Sequence, residues 1–265
     1  MIKCIRKALA EPNILKMNVN DINLLQEHKK ILFTKPLLKS AFVSFYSEMV
    51  FLADKFFLKT GKEIELGSGA GFFKHHRPKV ITSDIRKDKK IDIKLNAEKM
   101  HLSNCSIRCF YAINVFHHIP NPKNFFSELV RVLKPGGGCI LIEPHNGFFS
   151  ALVHRNLHSD EYFDPNAKNW SNQNINGPMS GANQALSYIV FERDLRVFNK
   201  EYSDKLEIVY KGYSSNALRY LLSGGLNYRQ LVPSFLEPVL YFIEKIMSPI
   251  IRFWSLHQII VIRRK

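Results

Sequence analysis

Two patterns of apolar and polar positions divide the chain into helical and strand-forming segments. Residues 1–60 are mostly helical in pattern: Asp21 is a suitable N-cap for a helix over Ile22–Lys30, and Lys39–Leu58 carries apolar residues at helical spacing. Short apolar runs of the kind that form buried strands then follow at 63–66, 80–84, 108–113 and 138–143.

Helical segments separate these predicted strands. Pro122–Leu133 is amphipathic and ends at Lys134-Pro-Gly-Gly, a typical helix stop. Between Gly71 and Asp84, Pro78 limits any helix to about two turns. Strands that alternate with helices predict an α/β fold with a mainly parallel sheet and helices on both faces. Ligands of such sheets bind beyond the carboxyl ends of the strands.

The C-terminal half adds cap segments to this core. Residues 145–182 are polar and irregular, and their place after the fourth predicted strand makes them a candidate lid. Ala182–Phe198 is predicted to be helical, and Leu206–Tyr210 and His257–Ile262 to be strands.

An insertion at 213–255 contains a strongly apolar stretch, Leu231–Trp254. The stretch also holds Glu237, Glu244, Lys245, Arg252, Pro233, Pro238 and Pro249. These residues argue against a single membrane-spanning helix. Two interpretations remain: the stretch forms a wall of the substrate cavity, or it lies on a membrane face as an amphipathic element.

The net charge of +15 favours acidic partners, such as nucleic acid or an anionic membrane surface, over a neutral one. The lysines are spread along the chain, and basic residues interleaved with aromatic ones for stacking bases are not evident, which argues against nucleic acid. No N-terminal stretch has the pattern of a secretory signal. We therefore expect a cytoplasmic protein that can contact the inner face of a membrane peripherally.

The four cysteines do not predict a metal site. Three residues separate Cys105 from Cys109, and there is no second pair at a suitable distance. We expect reduced cysteines and no bound metal.

The most informative run is Glu65-Leu-Gly-Ser-Gly-Ala-Gly71, a strand end followed by a glycine turn. Glycines on alternate positions allow a ligand to approach the backbone closely, and Asp84 ends the next strand, where an acidic residue can bind a ribose diol. The run and Asp84 together therefore predict a cofactor that contains a nucleoside. Phe72 stands where a dinucleotide fingerprint has its third glycine, and Glu65 can anchor a ligand amine, so the pattern favours S-adenosylmethionine (SAM) over NAD.

With these residues the chain resembles the class I SAM-dependent methyltransferases, of the small-molecule, type 11-like kind. The motifs that carry the resemblance span roughly residues 60–145: Glu65–Gly71, Asp84, Asn96-Ala97-Glu98, Tyr111–Pro120, Leu133–Gly138 and Cys139–Pro144. The resemblance implies a Rossmann-like, seven-stranded, mostly parallel sheet in a domain at 61–265. Residues 1–60 are expected to pack on this domain as a helical segment.

The resemblance also implies a set of cofactor-binding residues. They are Glu65, Gly67, Ser68, Gly69, Gly71, Asp84, Asn96, Ala97 and Asn114. Two residues depart from the family pattern: Arg108 and Asn96 stand where the family usually has aspartates. Asn96 can offer both an acceptor and donors to the adenine edge, where an aspartate would offer acceptors only.

Methyl transfer from a sulfonium mainly requires that the acceptor be positioned in line, and a base is needed only for a hydroxyl or an acidic carbon. The candidate bases are His118, in the loop that borders the acceptor side in the family, and Glu143 and His145, at a strand end. We expect methyl transfer to a small-molecule or lipid-linked acceptor, with oxygen as the preferred atom. The alternatives are an RNA methyltransferase on the same fold and a non-catalytic SAM-binding protein.

Overall fold

A computed structural model of the chain describes residues 2–15, 17–18, 21–86, 88–157, 161–172, 177 and 180–265. Seven strands form one sheet: β1 (Lys62–Leu66), β2 (Ile81–Asp84), β3 (Ile93–Lys94), β4 (Ile107–Ile113), β5 (Leu133–Pro144), β6 (Leu206–Tyr213) and β7 (His257–Arg264). Their order in the sheet is β3-β2-β1-β4-β5-β7-β6. Only β7 runs against its neighbours β5 and β6. The predicted seven-stranded, mostly parallel Rossmann-like sheet is confirmed.

The α-helices are α1 (Ile2–Leu9), α2 (Ile22–Thr34), α3 (Pro36–Phe56), α4 (Phe73–His76), α5 (Pro122–Val132), α6 (Phe148–Leu157), α7 (Leu186–Tyr188), α8 (Leu195–Tyr202), α9 (Ala217–Leu222), α10 (Glu237–Ile246) and α11 (Ile251–Trp254). A π-helical turn, Ile189–Arg193, joins α7 to α8, and single 3₁₀ turns lie at Phe116–His118, Ser234–Leu236 and Ser248–Ile250. Over the described residues, no helix combines the length and apolarity that crossing a membrane requires.

The two faces of the sheet are covered by different helices. Phe110 and Ala112 of β4 face a cluster that includes α5, the π turn and α8. Cys109 and Tyr111 of the same strand face the cluster of α3 and α4. Side chains that alternate in this way along a buried strand place a helical layer on each side of the sheet.

The structure corrects several predicted elements. The helix after the glycine turn is one turn, α4, because Arg77, the residue before Pro78, has left the helical conformation with φ −129° and ψ 83°. The segment Lys134-Pro-Gly-Gly lies inside β5, which begins directly after α5. The predicted irregular lid begins with a regular helix, α6, and its residues 158–160, 173–176 and 178–179 lie outside the described part of the chain.

Breaks in the apolar insertion fall at its prolines. Pro238 and Pro249 each occupy the first turn of a new element, α10 and a 3₁₀ turn, and Pro233 precedes another 3₁₀ turn. Proline lacks the N–H that would continue a preceding helix, so the segment folds into short helices. The prediction that it is not a single long helix is confirmed.

Arg108, one of the two residues that depart from the family pattern, lies at the amino end of β4. Its side chain is 1% exposed and pairs with Glu63 and with Asp54, at 2.8 Å from the latter. It also donates to the carbonyl of Leu58. Arg108 therefore ties the end of α3 to the sheet and takes no part in lining the cavity described next.

Candidate functional site

A cavity of about 540 Å³ opens at the carboxyl ends of β1, β2 and β4. It brings together all nine predicted cofactor-binding residues and one predicted base: Glu65, Gly67, Ser68, Gly69, Gly71, Asp84, Asn96, Ala97, Asn114 and His118. A volume in this range is typical of small-molecule sites. The role of each residue stays a prediction. That all ten residues line one cavity agrees with these roles.

The glycine turn has the conformation that its sequence requires. Gly67 and Gly69 have φ angles of +58° and +46°, in the left-handed region that favours glycine. At Gly71 the reason is close packing instead, because a Cβ there would lie 2.8 Å from Tyr46 Oη and 2.9 Å from the Ser68 carbonyl oxygen. Each of the three glycines is therefore explained by backbone geometry, and the turn leaves its backbone accessible to a ligand.

Asp84 is held beside this turn. Its carboxylate is 3% exposed and accepts a hydrogen bond of 3.3 Å from the backbone N–H of Gly69. Arg86, which sequence analysis did not single out, donates to it from its backbone N–H at 2.9 Å and from its guanidinium at 3.1 and 3.2 Å. The carboxylate thus stands at the strand end with a fixed orientation, as a ribose-binding group must.

Two buried oxygens that face the cavity have no partner. Glu65 Oε2 and Asn114 Oδ1 lack a hydrogen bond to any residue that the structure describes. A buried acceptor without a donor costs free energy, so both positions favour a ligand that brings N–H groups. The ammonium and adenine groups of SAM supply such donors. The residues present therefore fit this cofactor.

Burial raises the pKa of Glu65 to about 8, and the charge of Asp84 adds to the effect, although a hydrogen bond with Ser68 opposes it. Near neutral pH the side chain without cofactor is therefore largely protonated, whereas pairing with an ammonium group requires the carboxylate. If Glu65 pairs with the ammonium group as predicted, cofactor binding is coupled to loss of a proton from Glu65.

We expect the affinity for S-adenosylhomocysteine (SAH), the product form of the cofactor, to rise with pH up to about 8, because less free energy is then needed to ionise Glu65. Calorimetric titrations in buffers of different ionisation enthalpy measure both the affinity and the proton released. The Glu65→Gln variant should bind SAH more weakly and lose most of the pH dependence. An equal pH dependence in both proteins would contradict the assignment.

The raised pKa of Glu65 also makes the stability of the protein depend on pH. A carboxyl group whose pKa is raised on folding stabilises the protein below its unfolded pKa, and this stability is lost as the pH rises through the folded pKa. Without cofactor, the wild type should therefore lose stability relative to Glu65→Gln as the pH rises from the ordinary value of 4.5 to about 8. Urea unfolding of both proteins across this range tests the expectation.

Asn96 and Ala97 form a turn at the edge of the cavity. The side chain Oδ1 of Asn96 accepts a hydrogen bond of 2.9 Å from the backbone N–H of Glu98. Glu98 in turn accepts one of 3.0 Å from the backbone N–H of Asn121. The turn is thereby tied to the loop after β4, which closes this side of the cavity.

Glu143, a predicted base, has a structural role instead. Its carboxylate is fully buried and accepts 2.8 Å hydrogen bonds from the backbone N–H groups of Val115 and Phe116. Its other oxygen lies 2.6 Å from Nδ1 of His117. Because these partners occupy both oxygens below the cavity floor, Glu143 positions the His117 turn and does not meet an acceptor.

His145 is also corrected, since it is absent from the described residues that line the cavity. Its Nε2 lies 3.2 Å from the carbonyl oxygen of Arg252, and its ring packs on Tyr213 with centroids 4.7 Å apart. The side chain points toward the insertion because β5 ends at Pro144 and the chain turns there into α6. The structure therefore places His145 away from the described cavity lining, which does not support its predicted role as the base.

His118 does line the cavity, next to residues that sequence analysis missed. Its Nε2 lies 3.2 Å from Oε1 of Glu161, and Nε2 of His117 lies 3.6 Å from the other oxygen of the same carboxylate. The paired histidines were visible in the sequence, but Glu161 lies in the predicted lid and is separated from His118 by more than forty residues. No local signal connected the two.

In the cluster of His117, His118 and Glu161, burial and neighbouring charges shift the pKa values in opposite directions. Burial lowers the pKa of His117, but the carboxylates of Glu143 and Glu161 outweigh it and raise the pKa to about 10. Burial and the neighbouring His117 lower the pKa of His118. Burial would raise the pKa of Glu161, yet its pairing with the imidazoles of His117 and His118 holds it well below the usual value.

Comparison with known proteins agrees with this geometry. Residues 65–141 match a family described as "Methyltransferase domain". No curated protein sequence shows significant similarity to the chain.

Solved structures that resemble the chain are distant. A putative methyltransferase from Bacillus halodurans C-125 is 16% identical, with 83% of this chain and 98% of that chain covered and a TM-score of 0.39. Geranyl diphosphate C-methyltransferase from Streptomyces coelicolor A3(2) is 13% identical, with coverage of 83% and 80% and a TM-score of 0.44. Phosphoethanolamine N-methyltransferase 2 from Haemonchus contortus is 12% identical, with coverage of 83% and 52% and a TM-score of 0.43.

The assignment therefore depends on the matched domain and on the cavity. The glycine turn, the acidic residue that ends β2 and the methyltransferase domain at 65–141 define a SAM-dependent methyltransferase with the class I architecture. Its cofactor is SAM.

Proposed function

We propose that this methyltransferase transfers the methyl group of SAM to a hydroxyl oxygen of a small or lipid-linked acceptor. The observation that carries the proposal is the extent of the cavity, which continues from Glu65 and Asp84 to the pair His118–Glu161. The cofactor motifs account for the first end only. The second end combines imidazole and carboxylate groups, which bind a hydroxyl group and receive its proton.

In the cofactor half, Asp84 accepts hydrogen bonds from the ribose diol, and Glu65 pairs with the amino group. Ser68 and the three glycines form the turn below the ligand, Asn96 and Ala97 border the adenine, and Asn114 accepts a further N–H. These roles are the ones that the family resemblance implies, and they are supported by the position of all these residues in the lining of one cavity.

SAM supplies an electrophilic methyl group on a sulfonium sulfur. The acceptor oxygen forms the new bond to this carbon while the carbon–sulfur electron pair returns to sulfur, which yields SAH and a methyl ether. The hydroxyl proton passes to the His118–Glu161 pair. The protein's main contribution is to hold oxygen, carbon and sulfur in line, which can lower the barrier by about 7–11 kcal/mol.

An exposed apolar surface supports a lipid-linked acceptor. We call it the apolar face of the insertion; its four most exposed side chains, each 62–77% exposed, are Phe235, Phe242, Ile246 and Phe253. The helix α10 packs on α9, whose Tyr220 lines the cavity. Lys245 and Arg252, both exposed, lie on the same segment and suit an anionic surface. An acceptor held in such a surface would enter the cavity from this side.

Transfer of labelled methyl groups from SAM to three acceptors tests the proposal: a water-soluble phenol, a lipid-linked phenol in zwitterionic vesicles and the same lipid in anionic vesicles. We expect a methyl ether, identified by mass spectrometry, and the highest rate with anionic vesicles. Product on nitrogen or carbon alone would contradict the choice of oxygen. Equal rates on all three acceptors would contradict the membrane contact, and transfer only to RNA would favour the nucleic-acid alternative.

The His118→Ala variant should lower the rate of methyl transfer about 10²- to 10⁴-fold, the usual contribution of a group that handles the proton in the transition state. SAH affinity should stay within about twofold, because His118 lies at the acceptor end. His76→Ala is the matched control, since His76 is exposed and lies outside the described cavity lining. A full rate in His118→Ala with the preferred acceptor would remove His118 from the mechanism.

A further inference from the structure

Three side chains at the acceptor end of the cavity form a group that no sequence motif predicted. One ligand atom from each of His117, His118 and Glu161 lies within 4.8 Å of the other two. The histidines come from the 3₁₀ turn after β4, and Glu161 comes from the segment between α6 and α7. Two imidazoles and one carboxylate are a ligand set that Zn²⁺ and related divalent transition-metal ions prefer.

The distances suit a shared ion better than direct pairing. Two ligand atoms of one tetrahedral zinc ion lie about 3.4 Å apart, given metal–ligand distances of about 2.0–2.2 Å. The Nε2 atoms of His118 and His117 lie 3.2 and 3.6 Å from the two oxygens of Glu161, which brackets this value. The longer of these is beyond a normal hydrogen bond.

Hydrogen-bond partners outside the group orient two of the three side chains, as the neighbours of metal ligands do in known sites. Nδ1 of His117 lies 2.6 Å from Glu143, whose carboxylate is itself held by backbone N–H groups. A carboxylate on Nδ1 directs the Nε2 lone pair of a neutral imidazole outward, toward an ion. Gln184 donates to Oε2 of Glu161. Hydrogen bonds to groups outside the cluster therefore hold two of the three ligands, His117 and Glu161, in place.

The charge of the group also favours a cation. Glu143 is fully buried and Glu161 has a side chain that is 11% exposed, so two carboxylates lie in a region largely removed from water. One protonated imidazole would offset only one of their two negative charges. A divalent ion with two neutral imidazoles would offset both, and buried charges are tolerated only when they are paired or bind metals.

We propose that His117, His118 and Glu161 bind one divalent transition-metal ion, with Zn²⁺ as the best-matched candidate. Sequence analysis expected no metal because it considered only the cysteines. Three protein ligands leave a fourth position, as in catalytic zinc sites, and here that position faces the cavity. On the proposed function, the acceptor oxygen would take this position. The ion would then lower the pKa of the hydroxyl group, whose proton would leave to solvent instead of passing to His118 and Glu161, because both would be occupied as ligands.

Binding of the metal is tested without SAM and without an acceptor, so its failure is separate from failure of the proposed function. The protein is treated with a chelator, dialysed, and titrated with Co²⁺ and with Zn²⁺. We expect one ion per chain, visible absorption bands typical of four-coordinate Co²⁺, and displacement of Co²⁺ by Zn²⁺.

Substitution of the proposed ligands tests whether these residues form the metal site. Loss of a group that hydrogen-bonds to a metal ligand typically weakens metal binding about 10- to 100-fold. Substitution of a ligand itself, in Glu161→Gln or His118→Gln, should therefore weaken Zn²⁺ binding at least about 100-fold and abolish the Co²⁺ bands. His76→Gln, at an exposed histidine, is the matched control and should bind like the wild type. SAH binding by each variant confirms that it is folded.

Two results would overturn the proposal. One is absence of stoichiometric Co²⁺ and Zn²⁺ binding in wild-type protein that binds SAH, which would leave the group as a hydrogen-bonded network of two imidazoles and a carboxylate. The other is equal metal affinity in the wild type and in Glu161→Gln, which would place any bound ion elsewhere.

Discussion

Replacing Asp84 with alanine is expected to lower the affinity for SAH about 10- to 150-fold, because a hydrogen bond to a charged group contributes about 1.5–3 kcal/mol. The carboxylate is 3% exposed and stands at the glycine turn, where a ribose diol can donate to it. Truncation also leaves the guanidinium of Arg86 without its partner beside the ligand. Both effects act on the cofactor half of the cavity, and calorimetric titration with SAH measures them.

Asp92→Ala is the matched control for this substitution. Asp92 contacts the same strand as Asp84, since it accepts 2.9 Å hydrogen bonds from the backbone and side chain of Thr82. It is absent from the described cavity lining, so its loss should leave SAH affinity within about twofold. A folded Asp84→Ala protein with wild-type affinity would show that the ribose lies elsewhere.

The Arg219→Met substitution is expected to destabilise the protein by about 3–5 kcal/mol, the usual cost of removing one partner of a buried ion pair. The side chains of Arg219 and Glu244 are 3% and 2% exposed, and their Nε and Oε2 atoms are 2.7 Å apart. Arg219 also donates to Ser40 and Ser44 of α3, at 2.6 and 3.0 Å. One guanidinium thus joins α9, α10 and α3, so its loss should loosen the insertion.

Urea unfolding gives this change in the free energy of unfolding. The double variant Arg219→Met/Glu244→Leu should recover much of the lost stability, because it removes the unpaired buried carboxylate as well. The matched control is Lys74→Ala, which breaks an exposed pair with Asp92 and should cost at most about 1 kcal/mol. If Arg219→Met and Lys74→Ala have equal effects, the buried pair does not hold the insertion in place.

Local chemistry explains why the core of the fold could be predicted. The apolar runs that became β1, β2, β4 and β5 carry strand propensity within a few residues, and their alternation with helices allows few topologies. The short strand β3 was missed as a separate element. It has two residues, and its identity depends on pairing with Ser83 and Asp84 rather than on its own pattern.

The helical details were less predictable for the same reason. The helix α4 is held against α3 by aromatic packing at its first residue, Phe73, whose ring stacks on Tyr46. The predicted helix at Ala182–Phe198 is interrupted by the π turn, which brings Val190 and Phe191 into the core. Packing between distant segments decided both outcomes, and no local propensity contains that information.

The cofactor half of the site was determined by the sequence itself. Gly67, Gly69 and Gly71 are needed for backbone geometry within one turn, and Asp84 follows at the end of the adjacent strand. Such requirements involve residues that are close in the chain or joined by regular pairing. They therefore leave a motif that can be recognised without coordinates.

The acceptor half was decided only by tertiary structure. Glu143 and His145 are neighbours at one strand end, yet one turned under the cavity floor to hold His117 and the other turned toward the insertion. Glu161 reached His118 only because the segment after α6 folds back over the sheet. Contacts between side chains far apart in the chain depend on how whole elements pack, so the sequence alone determined the cofactor, and the three-dimensional fold determined what meets it.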